Sequence, residues 1–259
     1  MSFRLNRGIH HDIAPHRSYR NLPIGAKAIL TTIPAVVIVE LLVVLCAQWC
    51  LNAMSNVAFF ASRYEGVPAR PFADPFLFVT LHPMTFDIRH SDWLELLVVM
   101  LVCAIIIVGL SVWREIAAPV RFFINLNALL IGGAAIFLFL AGHLGYDSAA
   151  FSQLMLRTAL LTWLVIPVFV GFFAVLFPFS IMERIGFILL TVAWDVPLSI
   201  VRYTCFIAIL GKTGPIAMTD LYFIFGPLLD VVPVVCFLSI LLVRFARALQ
   251  SQKVLWGSE

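Results

Sequence analysis

The stretch Ile185-Gly-Phe-Ile-Leu-Leu-Thr-Val-Ala-Trp-Asp195-Val-Pro-Leu-Ser199-Ile-Val-Arg202-Tyr-Thr-Cys-Phe-Ile-Ala-Ile-Leu210 decides the fold. At about 1.5 Å per residue it is long enough to cross roughly 30 Å of hydrocarbon, yet an aspartate and an arginine stand inside it. A charge at the bilayer centre costs about 2.5–3.5 kcal/mol on insertion scales, so such residues must be sheltered together. Their spacing allows it. Asp195, Ser199 and Arg202 are four and three residues apart and form one polar stripe on a helix. Side chains tilt toward the helix amino terminus, which directs Arg202 toward Ser199 and Asp195. Pro197 withholds a donor from the carbonyl of Ala193, so the helix is weakened at the same depth.

Working outward, further apolar runs cover about 28–53, 96–113, 122–145, 158–181 and 221–243. The chain is 62% hydrophobic and 12% charged, with a mean hydropathy of +1.03, far from the roughly 25% charged residues of soluble domains. The expected fold is an all-α integral membrane protein, a bundle of six transmembrane helices. Only 179–184 separates the fourth run from the fifth, and a tight hairpin is expected there. Pro167 and Pro178 mark the fourth run, Pro197 the fifth, and Pro227 and Pro233 the sixth, so the C-terminal helices are expected to kink. Ala128, Gly132 and Gly142 on the third helix form a small-residue packing face.

Lys and Arg set the orientation. Arg4, Arg7, Arg17, Arg20, Lys27, Arg114, Arg121, Arg184, Arg244, Arg247 and Lys253 fall on one side. Arg63, Arg70, Arg89, Arg157 and Lys212 fall on the other. The positive-inside rule then puts both termini in the cytoplasm, and a bacterial inner membrane is the expected location. The domains expected are a basic cytoplasmic arm at 1–26, a membrane domain at 27–249 with an external loop at 55–95, and a cytoplasmic tail at 250–259. Within the loop, Pro75-Phe-Leu-Phe-Val-Thr-Leu-His82 is apolar but too short to span. It is expected to lie in the interface or fold back onto the bundle.

Two further carboxylates complete the polar set: Glu40 near the centre of the first run and Asp230 midway along the sixth, between Pro227 and Pro233. With Asp195 they give three acids to one guanidinium. An uncompensated buried carboxylate takes a proton or recruits a cation. The set Glu40, Asp195, Ser199, Arg202 and Asp230 is therefore either a clasp holding the first, fifth and sixth helices in register or a proton or cation relay. His143, at the end of the third helix, could extend such a relay.

Other chemistry is not signalled. A bis-histidine haem site needs two intramembrane histidines, so no cofactor is expected. His82, Asp87, His90 and Asp92 match no metal motif with known mechanics, and no metal is expected. Cys46, Cys50, Cys103, Cys205 and Cys236 all fall in apolar runs, none in the external loop, so no disulfide framework is expected. No Gly-x-Ser-x-Gly elbow occurs, so no catalytic residue is named. A basic patch with exposed aromatics is also lacking, which excludes nucleic acid as a partner.

The stretch Glu183-Arg-Ile-Gly-Phe-Ile-Leu-Leu-Thr-Val-Ala-Trp-Asp-Val-Pro-Leu-Ser-Ile-Val-Arg202 resembles the proline-to-arginine helix of the exosortase and archaeosortase membrane transpeptidases. That family uses a cysteine in a Cys-Ser-Gly setting and a later histidine. This chain reads Ala150-Phe-Ser-Gln-Leu154 at the comparable place and has no histidine after Arg202. The resemblance implies at most an inactive relative. The leading expectation is a noncatalytic subunit or scaffold of a secretion, conjugation or polysaccharide-export assembly. Its partners would be the lipid bilayer and other membrane subunits, or further copies of itself. The alternative is a small proton- or cation-coupled transporter.

Overall fold

In the computed structural model of the chain, residues 26–88, 91–113, 115–142, 147–175 and 180–251 are described. The expected cytoplasmic arm, almost all of the tail, and His143 lie outside them. The elements are α1 (Ala26–Tyr64), four short strands β1 (Arg70–Pro71), β2 (Asp74–Phe76), β3 (Val79–Leu81) and β4 (Met84–Thr85), then α2 (Trp93–Val112), α3 (Ala118–Ala141), α4 (Ser148–Ala174), α5 (Ile181–Thr213), α6 (Ile216–Phe223) and α7 (Pro227–Ser251). Helices α1 to α5 are each long and apolar enough to cross a membrane. The chain is an all-α membrane protein in architecture, with small strands confined to one connection.

The inner bundle is α1, α4 and α5, with α7 packed on α4 and α5. Helix α1 buries one stripe, Ala35, Val39, Val43, Ala47, Leu51, Met54 and Ala58, at mostly four-residue spacing. Small residues at three of those positions let the neighbouring backbones approach closely. Gly171 of α4 does the same from the other side, because a Cβ there would collide with the Val36 side chain. Helices α2 and α3 form a separate pair whose contact with the rest runs chiefly through α6. Leu96, Cys103 and Leu110, seven residues apart, are the buried positions of α2. A Cβ on Gly132 would stand 3.2 Å from the Cys103 Cβ, so the small-residue face of α3 packs on α2 there. Gly142 plays a different part from the one expected: at φ 74° it is the left-handed C-cap of α3.

Local signals explain several helix ends. Ser180 and Glu183 form a capping box at the start of α5, with the Ser180 N–H donating to Glu183 Oε2 at 2.8 Å and the Glu183 N–H donating to Ser180 Oγ at 3.3 Å. This places Arg184 in the first turn of α5 rather than in a connecting loop. It is buried, 2% exposed, and donates to the hydroxyls of Thr31 and Thr32 on α1.

Helix α1 is 39 residues long, about 58 Å, and so overruns a hydrocarbon layer of about 30 Å. It continues to Tyr64, into the segment expected to be loop. The chain then turns back as one β-hairpin. The pairs Arg70↔Thr85, Pro71↔Met84, Asp74↔Leu81, Pro75↔Thr80 and Phe76↔Val79 share a single register. The Phe72 N–H to Pro83 carbonyl bond of 3.0 Å carries that register across the gap between strand pairs. Of the two sequence-based alternatives, folding back onto the bundle is the one adopted. Gln48 of α1 grips Thr80 twice, its amide donating to the Thr80 carbonyl at 2.9 Å and accepting from the Thr80 N–H at 2.8 Å. Val79, Leu81, Met84 and Phe86 are buried in the main core. The tip, Leu77-Phe78, is exposed, and Leu77 takes φ 54°, a conformation in which glycine is the usual occupant.

The sixth apolar run is not one helix. It breaks at 224–226 into the end of α6 and the start of α7. Gly226 permits the break: a Cβ there would run into the Tyr222 carbonyl. Pro227 then begins α7, where its missing N–H has no helical partner to lose.

Candidate functional site

The break brings the polar residues together. Asp230, expected midway along a helix, stands in the first turn of α7. Its Oδ1 accepts a hydrogen bond from Nη1 of Arg202 on α5, in an ion pair whose side chains are 4% and 3% exposed. The same guanidinium nitrogen donates to the Gly226 carbonyl at 2.7 Å, and the Leu229 N–H reaches that carbonyl at 3.1 Å. Arg202 thus bonds both Oδ1 of the carboxylate and a buried carbonyl of the interrupted backbone, while Asp230 Oδ2 has no partner among the described residues. The guanidinium gives Asp230 a counter-charge, and the carboxylate stands in the first turn of a helix. The Thr162 hydroxyl of α4 stands beside it.

Asp195 sits seven residues before Arg202 on the same buried stripe and is 0% exposed. Neither of its oxygens has a hydrogen-bond partner among the described residues. The charges acting on it are Asp230 and Arg202. Ser199, between them and also 0% exposed, accepts from the Trp163 indole N–H of α4 at a long 3.4 Å. The polar stripe read from the sequence is therefore present on α5 and faces α4 and α7.

Glu40 stands apart. It is half-buried on α1, has no ion pair or hydrogen bond among the described residues, and is not one of the charges acting on Asp195 or Asp230. The set that the structure brings together is Asp195, Ser199, Arg202 and Asp230, joining α5 to α7 and α4 rather than to α1. The tie between α5 and α1 is instead Arg184 with Thr31 and Thr32, which the sequence reading missed because it counted Arg184 as a loop cation. The Ser180-x-x-Glu183 pattern was the available signal.

A second polar knot lies beside the first. Tyr203, next to Arg202, shares a 2.6 Å hydrogen bond with Ser152 of α4, whose hydroxyl also accepts from the Met84 N–H of the hairpin at 2.7 Å. Four residues earlier, Ser148 accepts from the Phe86 N–H at 3.1 Å and donates to its carbonyl at 2.7 Å. Arg157 adds an ion pair to Asp74 at 2.8 Å and lies over the Phe76 ring at 5.0 Å. These contacts fasten the hairpin to α4. The Ala150-Phe-Ser-Gln-Leu154 segment thus offers a serine held by an amide and a phenol, neither a base that activates a nucleophile.

Two surface grooves lie elsewhere. One runs between α1 and α4 along Thr32, Val36 and Gly171, and the other lies beside Phe59, Arg63 and Val67; neither is lined by Asp195, Arg202 or Asp230. No group of three His, Cys, Asp or Glu side chains that could hold a metal occurs among the described residues. No family model, curated protein or solved structure matches this chain.

Proposed function

We propose that the chain is a noncatalytic multi-pass subunit of a cell-envelope assembly, of the secretion, conjugation or polysaccharide-export kind. In this reading it sits in a bacterial inner membrane with six spans, α7 being the sixth, and with both termini in the cytoplasm. The carrying observation is that Arg202 is closed on Asp230 and on the Gly226 carbonyl together. A single nitrogen, Nη1, holds two helices around a broken backbone. The other buried polar contacts follow the same pattern, tying α1, α4, α5 and the hairpin to one another. The two-helix unit α2–α3, exposed along most of its length, adds a surface for lipid or for neighbouring subunits.

The test is purification from native membranes, with mass-spectrometric identification of the chains that copurify. A defined set of other membrane subunits is expected. Recovery of a homo-oligomer alone that drives solute or proton flux in liposomes overturns the reading. That outcome would favour a second one, a small proton- or cation-coupled transporter, for which the unpartnered Asp195 carboxyl is the supporting observation. Flux abolished by Asp195→Asn in correctly folded protein would be its mark.

A further inference from the structure

We propose that Asp195 is a proton-binding site inside the membrane domain, holding one proton that it shares with Asp230 across a single guanidinium. The argument is a charge count at a water-excluded place. Three ionisable side chains act on one another there: Asp195 and Arg202 from α5 and Asp230 from α7, the last two in contact. Helix α4 contributes Trp163 and Thr162, which are polar and uncharged, and Glu40 of α1 is not among the charges acting on the set. With one proton bound the set is neutral. Without it a net negative charge sits in the core, and an uncompensated buried charge is strongly destabilising. A second proton would leave Arg202 unpaired, with the same penalty and opposite sign.

The position of that one proton follows from the donors each acid has. Asp230 has the Arg202 guanidinium on Oδ1 and stands in the first turn of α7, so only its Oδ2 has no partner among the described residues. Asp195 lies in mid-helix, fully buried, and neither oxygen accepts a hydrogen bond among the described residues, the neighbouring Trp163 indole donating to Ser199 instead. A neutral carboxylic acid needs no counter-charge and carries its own donor, so the proton resides on Asp195. Arg202 nevertheless stands on the same stripe, two positions along, beyond Ser199. When the Arg202–Asp230 contact opens, Asp195 is the next acid to pair with the guanidinium, and it does so by passing its proton to Asp230, whose carboxylate has lost its counter-charge. No bond other than O–H is made or broken, and the total charge of the set is conserved on transfer to Asp230. Occupancy of this proton is thereby linked to closure of the break at 224–226. The linkage goes beyond either reading of the protein's role and holds for a subunit as for a transporter.

The experiment is infrared spectroscopy of the full-length protein in lipid at pH 7, unlabelled and with carboxyl-13C aspartate, alongside thermal unfolding of Asp195→Asn and Asp230→Asn. A protonated-aspartate C=O band that shifts with the label is expected in the wild type and is lost in Asp195→Asn. Asparagine mimics the neutral acid, so Asp195→Asn should melt within about 2 °C of wild type, whereas in Asp230→Asn the guanidinium recruits Asp195 and the protonated-aspartate band should be lost. Absence of any labelled protonated-aspartate band in the wild type overturns the proposal without recourse to a variant. So does a band that persists at full intensity in folded Asp195→Asn. Wild type lacking the band but melting higher as sodium or potassium chloride is raised would put a cation in the proton's place, and overturns it equally.

Discussion

Replacing both members of the Arg202–Asp230 pair should harm the protein far less than replacing either one. In Asp230→Leu, the guanidinium, 4% exposed, keeps the Gly226 carbonyl and has only Asp195 left in the set as an acid to pair with, which offsets part of the loss. Removing one partner of a buried pair costs about 3–5 kcal/mol. In Arg202→Met, the Asp230 carboxylate loses its counter-charge, and the Gly226 carbonyl keeps one donor, the Leu229 N–H, instead of two. The cost is again about 3–5 kcal/mol for the stranded acid, reduced to the extent that it takes up a proton. The double variant Arg202→Met with Asp230→Leu buries no unpaired charge and retains only the weakened carbonyl, about 1–3 kcal/mol. Additivity would give roughly 6–10 kcal/mol, so a coupling of several kcal/mol is expected. Reversible unfolding in mixed detergent micelles reads it directly as a double-mutant cycle. Singles that add within about 0.5 kcal/mol to the double would show that the two residues act independently and refute the clasp.

Ser152→Ala should strip the Met84 N–H and the Tyr203 hydroxyl of their shared partner and cost about 1–3 kcal/mol; faster amide exchange at Met84 is the local readout. Gly171→Ala should press α1 away from α4 at Val36 and destabilise by about 1–3 kcal/mol, whereas Gly133→Ala, which meets nothing within 4 Å, should not; melting temperatures of the two variants decide it. Leu77→Gly should relieve the positive φ at the hairpin tip and raise stability by about 1 kcal/mol, since Leu77 is 66% exposed and loses little contact. A lowered melting temperature would show instead that the Leu77 side chain is held by lipid or by a partner.

The chain's membrane character and the polar stripe of α5 were legible because both depend on regular spacing. A run of apolar residues reports length, and the offsets from Asp195 to Ser199 to Arg202 report a shared helix face. Hydropathy is blind to interruptions, however. The run at 221–243 stays apolar through Gly226-Pro227, so averaging concealed the break and placed Asp230 in mid-helix. The dipeptide itself was the readable sign of a turn. Glu40 fared differently because a single charge in an apolar run does not say which face of its helix is buried. The hairpin was hidden for a third reason. Its two-residue turn is Leu77-Phe78, where hairpin chemistry favours glycine or asparagine, and its register rests on Gln48, Ser148 and Ser152, far away in the chain.

The mechanical isolation of α2–α3 has a consequence for how load travels through this protein. The pair leans on the bundle chiefly through α6, and the second, small core of Leu96, Ala135, Leu138 and Ile216 is the bearing surface. The last helical bond of α6 is from the Ile224 N–H to the Asp220 carbonyl, at 3.0 Å. Gly226 is two residues further on. The outrigger therefore reaches the bundle through α6, which packs on α5 and is joined to α7 at the Gly226 break. The helix that chiefly joins outrigger to bundle thus ends at the place where Arg202 meets the Gly226 carbonyl.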